Sequence, residues 1–367
     1  MWPRKVKMKA NRKELLEALA PLKPALAGRS VVTELTHIWF DGKYAYAHDG
    51  GVGARVKVET PFKLGVPGSL LLGLLDQAGP EALELQEEEA SLTFKAGRSN
   101  IKLATLPLEN RVWPYPDKPT GKVLASLKVS KPFVTALKRV FVIRPANPKR
   151  MEHHAVCVFA VEKEMDLYTT DSMTLAVMPV KEPLEGKADS IAIPRSFAEQ
   201  VVAQCQYDVE LQMYADHFIV AASPTVTLYS NIFDTAEMLD LPAFADKYAD
   251  DKAAPPFELP KEFSAALERV VLMAGAEDAV VTLQTSGKAL ALTGAFKLGE
   301  LDEEFETIKS LPKCSVDVVA KTLLSVRDMD TMMISKNAVT LRGKDKFMYV
   351  LAQHEAPLKK KTKKSKD

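Results

Sequence analysis

The chain has 367 residues, of which 47% are hydrophobic and 26% charged, and its 49 Lys and Arg nearly balance 48 Asp and Glu. This composition excludes a disordered, collagen-like or disulfide-framed chain. The longest largely apolar run, Leu64 to Leu75, is far shorter than the roughly 20 residues of a membrane helix, so no membrane span is expected. Three distant cysteines predict no disulfide framework and no zinc site, and the basic N-terminus shows no secretory signal, so we expect a cytoplasmic protein.

Positive charge is concentrated in two stretches although the total is close to zero. Lys128 to Arg150 holds seven basic residues and no acidic one, and Arg4 to Arg29 holds eight basic residues against two acidic ones. Acidic residues are concentrated in Glu84 to Glu89 and in Glu300 to Glu306. This segregation predicts a basic face and an acidic face. The alternative is that each run is simply a solvated surface.

One pattern of elements occurs three times along the chain. Each copy starts with a short strand and an amphipathic helix, and these helices are predicted at Arg12 to Leu22, Lys131 to Ile143 and Lys261 to Met273. Two alternating strands follow, at Leu35 to Phe40 with Tyr44 to His48, Ala155 to Val161 with Asp166 to Thr170, and Val280 to Gln284 with Ala289 to Thr293. A second helix comes next, at Pro67 to Gln77, Pro194 to Gln204 and Val316 to Val326. Each copy closes with a hairpin, at Ser91 to Phe94 with Ile101 to Leu106, Phe218 to Ala222 with Thr225 to Asn231, and Ala338 to Arg342 with Phe347 to Ala352.

The repeat predicts three domains of similar size, residues 1–120, 121–247 and 248–357. The stretches around Pro114 to Pro119 and Asp250 to Pro256 have the composition of linkers. Helices on one face of mainly antiparallel sheets define an α+β fold class. The last ten residues, 358–367, carry six Lys and are predicted to be disordered.

Sequence patterns typical of catalysis are missing. The Gly50 to Gly53 segment lacks the Gly-Lys-Ser/Thr ending and the following helix of a phosphate-binding loop. His153 and His154 are adjacent in a predicted strand, where they would point to opposite faces and would not share a metal ion. Asp49 and Asp171 follow strands in tight connections and are predicted to bond their own backbone. We therefore predict a protein without catalytic residues, metal or cofactor, which holds a partner.

Five short stretches resemble the bacterial DNA polymerase sliding clamp, the beta subunit of DNA polymerase III. They occur in the family order and are Ala27 to Ser30, Ala96 to Pro107, Leu167 to Val177, Ile191 to Arg195 and Tyr349 to Leu351. Together with the threefold repeat, the resemblance covers about residues 6–354. Ser172-Met173-Thr174 stands where the family has Gly-His-Arg, and Ala352-Gln353-His354 replaces Met-Pro-Met. These departures indicate a divergent member, and a phage origin is an open alternative.

The resemblance implies three clamp domains in a crescent, and two crescents closing head to tail into a ring around double-stranded DNA. Such a ring is a homodimer without enzymatic activity, confers processivity on the replicative polymerase, and contacts phosphates without reading bases. Arg29 matches the pore arginine of the family, and the loop Asn147 to His154 matches its DNA-contacting loop, including His153 and His154. The charge pattern alone adds Lys138, Arg139, Arg144, Lys149 and Arg150, with plain solvation as the alternative for each lysine.

The resemblance also implies two protein interfaces. At the dimer interface the edge strand Arg98 to Leu103 would pair with the third domain of a second copy, with Ile101 and Leu103 opposed by Leu272 and Met273. Packing in the domain's own core is the alternative for Leu272 and Met273. A pocket for peptides of polymerases and the clamp loader would be lined by Thr170, Met173, Leu175, Pro242, Val350 and Leu351. Core packing is again the alternative for Leu175 and Val350.

Two other functions are compatible with the sequence. A monomeric clamp-like decoy would bind clamp partners and inhibit or redirect replication, and it would have no need for basic helices. A nuclease using the carboxylates would show metal-dependent turnover. The basic helices favour the clamp.

Overall fold

A computed structural model describes residues 6–79, 81–116, 119, 121–145, 149–205, 209–249, 254–275, 279–326 and 328–353. The Lys-rich tail predicted at 358–367 and the centre of the second predicted linker, residues 250–253, lie outside the described residues. In the described part of the chain, no helix has the length and apolar content needed to cross a bilayer.

The helices follow the predicted order, except that one of them, α5 Leu241–Ala249, was not predicted. They are α1 Arg12–Leu19, α2 Gly68–Gln77, α3 Lys131–Val140, α4 Arg195–Gln204, α5 Leu241–Ala249, α6 Phe263–Ala274 and α7 Ala320–Leu324. The strands up to the second repeat are β1 Val6–Asn11, β2 His37–Phe40, β3 Tyr44–His48, β4 Val52–Lys57, β5 Leu64–Pro67, β6 Ala82–Glu88, β7 Ser91–Ala96, β8 Ser99–Ala104 and β9 Leu106–Pro107. Those of the second repeat are β10 Val123–Val129, β11 Ala155–Val161, β12 Glu164–Thr170, β13 Thr174–Val180, β14 Glu185–Gly186, β15 Ser190–Pro194, β16 Val209–Tyr214, β17 Phe218–Ala222 and β18 Thr227–Asn231. The third repeat has β19 Phe257–Glu258, β20 Val280–Phe296, β21 Gly299–Val319, β22 Thr331–Ile334, β23 Ala338–Arg342 and β24 Met348–Ala352.

The chain forms two compact units, both of the predicted α+β class. The first unit comprises residues 1–134 and 182–235. It contains an antiparallel four-stranded sheet in the order β1-β6-β7-β8 and a ten-stranded sheet in the order β14-β10-β16-β17-β18-β4-β3-β2-β5-β9. In the larger sheet β18 of the second repeat pairs with β4 of the first, with Thr227 opposite Arg55. The three-domain boundaries predicted from the repeat remain a prediction.

The second unit comprises residues 135–181 and 236–367. Its strands follow the order β11-β12-β13-β24-β23-β22-β19, and β20 and β21 form a separate long hairpin. The prediction of two separate strands, Val280 to Gln284 and Ala289 to Thr293, is wrong, because both belong to β20 and pair with β21. The predicted helix from Val316 is wrong at its start, because β21 continues to Val319 and α7 begins at Ala320. The β-branched residues of this segment pair with β20, which overrides the helical spacing.

The described part of the first predicted linker, together with Trp113 before it, packs against the first unit. The Trp113 ring lies 5.4 Å from those of Tyr115 and Tyr229, and Tyr115 and Tyr229 stack at 5.4 Å. Gly53 makes room for them, because a Cβ at this position would lie 2.7 Å from the Tyr115 ring. Burial of Tyr115 and partial burial of Trp113 hold this segment across the seam between β4 and β18, which its linker composition did not predict.

His48 introduces a pH dependence into this aromatic cluster. Its ring lies 5.6 Å from that of Tyr115, and in the described part of the chain neither ring nitrogen has a hydrogen-bond partner. Burial lowers the pKa of His48 below its ordinary 6.5, although nearby Asp49 opposes this. The unfolded chain therefore takes up a proton at a higher pH than the folded chain, and stability falls as the pH drops below about 6.5.

We expect this loss of stability to shrink in a His48→Phe variant, which keeps an aromatic ring but cannot titrate. Denaturant unfolding at pH 7.5 and pH 5.5 measures the difference for both proteins. The remaining histidines are the same in the two chains, so the comparison isolates His48. Equal pH dependence in wild type and variant would contradict the assignment.

Candidate nucleic-acid and partner interfaces

Helix α3 separates apolar from basic residues. The Ser130 hydroxyl oxygen accepts a hydrogen bond from the Phe133 N–H at 3.1 Å and caps the start of the helix. Phe133, Leu137 and Val140 are buried at helical spacing, which fixes the orientation of the helix. Lys131 and Lys138 are exposed on the other side. The amphipathic pattern thus directs the Lys138 ammonium into solvent.

Further exposed basic residues follow α3. Arg144, Lys149 and Arg150 are all exposed, and the Arg150 guanidinium lies 3.5 Å from the Glu152 carboxylate. In the first unit Arg29 is also exposed, on the loop after α1. These side chains are accessible to a polyanion, as the charge pattern predicts. Asn147 of the predicted DNA-contacting loop lies outside the described residues.

Arg139 differs from the other basic residues of this region. Its Nε donates to Asp345 Oδ2 at 3.1 Å, its Nη1 donates to Asp328, and its guanidinium lies 5.0 Å from the centre of the Phe347 ring. The two carboxylates hold the pKa of Arg139 above its ordinary value, despite opposing burial. Because these contacts offset its charge within the second unit, we no longer expect Arg139 to contact DNA.

His153 and His154 lie in a 3-10 helix, Met151–His154, and not in a strand as predicted. The His153 side chain is buried, and its Nε2 lies 2.7 Å from the Ser172 hydroxyl. His154 is exposed. His154 is therefore accessible for a direct contact with DNA, whereas the side-chain ring of His153 is not.

The predicted pocket residues fall on both faces of one sheet. Thr170 pairs with Leu175, and Leu175 pairs with Val350, so these three share a face. Leu351 follows Val350 and points to the opposite face. Leu175, Val350 and Leu351 are each at most 2% exposed, which supports the alternative of core packing for Leu175 and Val350. Met173, 46% exposed, and Pro242, half-buried, are the accessible apolar members of the set.

The turn that carries Met173 is built by Asp171. Asp171 Oδ1 accepts from the Thr174 N–H at 2.7 Å, and Asp49 Oδ1 accepts from the Val52 N–H at 2.7 Å. The predicted turn role of both residues is therefore confirmed. Among the described residues, no three His, Cys, Asp or Glu side chains are grouped so that they could hold a metal ion.

The predicted dimer contacts combine an open sheet edge with an apolar patch. Strand β8 is at the edge of its four-stranded sheet, with Arg98 just before it exposed and Ile101 half-buried. Leu103 is only 2% exposed and packs in its own domain, because it pairs with buried Leu92. A partner chain would meet Ile101 and not Leu103.

In the second unit Leu272 is 79% exposed at the end of α6. Leu298, which sequence reasoning missed, is 80% exposed in the turn between β20 and β21. A Cβ at neighbouring Gly299 would lie 3.4 Å from Met273 Cε, so this turn lies beside the end of α6. The signal in the sequence that could have identified Leu298 is the placement of a leucine at the tip of a hairpin. The exposure of Leu272 argues against the core alternative for this residue.

Comparison with known proteins gives a structural match and no sequence match. No protein-family model matches the chain, and no curated protein sequence matches it. The DNA polymerase III beta subunit of Pseudomonas aeruginosa superimposes with a TM-score of 0.79 at 17% identity, covering 95% of this chain and 100% of that one. The sliding clamps of Caulobacter crescentus (TM-score 0.81, 16% identity) and Bacillus subtilis (0.78, 12%) each cover 96% of this chain and 100% of their own. The chain therefore has, over nearly its whole length, the fold of the bacterial DNA polymerase III beta-subunit sliding clamps.

Proposed function

We propose that the protein is a DNA sliding clamp, without a catalytic step of its own, which encircles duplex DNA and tethers a polymerase. The observation that carries the proposal is the exposed basic side of α3 and the segment after it, on a fold shared end to end with sliding clamps. A clamp-like decoy would not need this charge. We further propose that it acts at the replication fork in the cytoplasm.

Phosphate contacts without base contacts suit this function. Lys138, Arg144, Lys149 and Arg150 are exposed cations on long side chains that can reach phosphates. Such contacts are equivalent at every step along the duplex, so they orient the DNA without stopping movement. Arg29 would add the same kind of contact from the first repeat.

Two copies would close the ring through the edge of β8 and the β20–β21 hairpin. Unpaired N–H and C=O groups on an edge strand favour pairing with another strand. Arg98 beside β8 is basic, whereas the first part of β21 exposes Glu300, Asp302, Glu304 and Glu306. The two surfaces differ, so the contact is head to tail and closes only by rotation into a ring. Leu272, Met273 and Leu298 would supply its apolar centre.

We also propose that a peptide of a polymerase or clamp loader binds beside the Asp171–Met173 turn. Met173 and Pro242 offer accessible apolar surface in the second unit, whereas Leu175 and Val350 are buried. Extended peptides bind such surfaces through apolar anchor side chains. The substitution of Gly-His-Arg by Ser172-Met173-Thr174 predicts a preference that differs from the family's usual peptides.

The salt dependence of DNA binding tests the proposed clamp function. Fluorescence anisotropy with two unrelated 30-base-pair duplexes should give equal affinities that fall steeply between 50 and 200 mM salt. Four phosphate contacts correspond to a slope of about −3.6 in a plot of log K against log salt. Salt-independent binding, or a strong preference for one duplex, would contradict the proposal.

A further inference from the structure

The His153 side chain connects two parts of the second unit that the proposed function treats separately. The ring is 8% exposed, and both of its nitrogens are engaged. The Lys149 N–H donates to Nδ1 at 3.2 Å, so Nδ1 is an acceptor and the proton of the neutral ring lies on Nε2. Nε2–H then donates to the Ser172 hydroxyl oxygen at 2.7 Å. Because Nδ1 is occupied and Nε2 is a donor, the pair is not a base that activates Ser172.

At one end the His153 imidazole holds the basic segment, Lys149 and Arg150, in place. The backbone N–H of His153 donates to the Arg150 carbonyl at 3.2 Å, in addition to the ring contact with Lys149. The same residue therefore fixes the backbone of both Lys149 and Arg150, whose side chains are exposed. A polyanion that immobilises these two side chains also immobilises His153.

At the other end the His153 imidazole holds the Asp171–Met173 turn beside the proposed peptide site. Ser172 has a φ of +76°, a conformation that is costly for residues other than glycine and needs support from its surroundings. Thr170 supplies one contact, through its hydroxyl and the Ser172 N–H, and His153 supplies another. The turn continues to β24, because the Ala352 N–H donates to the Met173 carbonyl at 2.8 Å. An unbroken series of bonds thus leads from Lys149 to the strand that carries Val350.

We propose that His153 is a positioning residue that couples DNA binding to the order of the partner pocket. Contacts of Lys149 and Arg150 with phosphates restrict His153, and His153 restricts the turn that presents Met173. A peptide binding to the turn then loses less conformational freedom when DNA is present, so the two ligands favour each other. The inference rests on the proposed function, since it needs both a DNA contact and a pocket.

Hydrogen exchange of the full chain, with and without a 30-base-pair duplex at low salt, tests this coupling. In the wild type, DNA should slow exchange in the peptide 168–176 about fivefold, the lower end of ordinary coupling between sites. His153→Phe keeps the ring volume but makes neither bond, and Ser172→Ala removes only the hydroxyl that accepts from His153. Both variants should lose the DNA-dependent protection of 168–176. A residue that merely supports the fold would change exchange equally with and without DNA.

Fluorescence anisotropy, measured alongside with the same duplex, distinguishes failure of the proposed function from failure of the coupling. If the wild type does not bind DNA, the proposed function fails, and the inference fails with it. If it binds DNA but exchange at 168–176 does not change, or if both variants keep the protection, the coupling is overturned while the clamp proposal stands. Ser172→Ala keeps the test decisive if His153→Phe does not fold, because Ser172 is an exposed residue and the change removes a single atom from the folded chain.

Discussion

Reversing three charges on and after α3 should reduce DNA affinity roughly 100-fold or more at 50 mM salt. The variant combines Lys138→Glu, Arg144→Glu and Lys149→Glu, all at exposed positions. Each change removes an attraction to phosphate and adds a repulsion. The loss of three contacts should also reduce the magnitude of the salt slope by about 2.7. Fluorescence anisotropy over a salt series measures both quantities.

A matched variant controls for net charge. Lys57→Glu, Lys63→Glu and Lys187→Glu make the same change in charge at exposed positions outside the proposed interface. This control should weaken binding less than about tenfold and leave the salt slope nearly unchanged, because none of the three is a proposed phosphate contact. Equal losses in the two triple variants would show that the basic side of α3 has no special role.

The second large effect is expected at the proposed ring interface. Leu272→Asp should weaken self-association about 100-fold, because dimerisation would then bury an unpaired carboxylate. The folded monomer should be unaffected, because Leu272 is 79% exposed there. Sedimentation over a range of concentrations measures the association, and thermal unfolding of dilute protein measures the fold.

Val161→Asp is the matched control for Leu272→Asp. Val161 is 45% exposed, lies in the same unit, and ends β11, outside the proposed interface. It should leave association unchanged. If neither variant changes the association, the apolar patch at the end of α6 is not part of an interface.

Features that depend on local periodicity could be predicted from the sequence. Phe133, Leu137 and Val140 recur at helical spacing, and this correctly predicted α3 and the exposure of Lys138. The threefold repeat gave the α+β class and the order of most helices and strands. The roles of Asp49 and Asp171 followed from turn chemistry, which is also local.

Features that depend on distant contacts could not be predicted. Asp345, which pairs with Arg139, is 206 positions away, and nothing near Arg139 indicates it. Tyr115 falls in a predicted linker because prolines flank it, whereas its burial depends on the space above Gly53 in β4. The contact between His153 and Ser172 likewise joins two turns that are separate in the chain. Such contacts are properties of the packing and leave no periodic signal.

The mass of the wild-type protein in solution tests the central claim most directly. Light scattering over a concentration series should give a dimer of about twice the chain mass of 40.4 kDa, since two copies close the proposed ring. A mass of 40.4 kDa at every concentration would contradict a self-closing ring and favour a monomeric clamp-like protein.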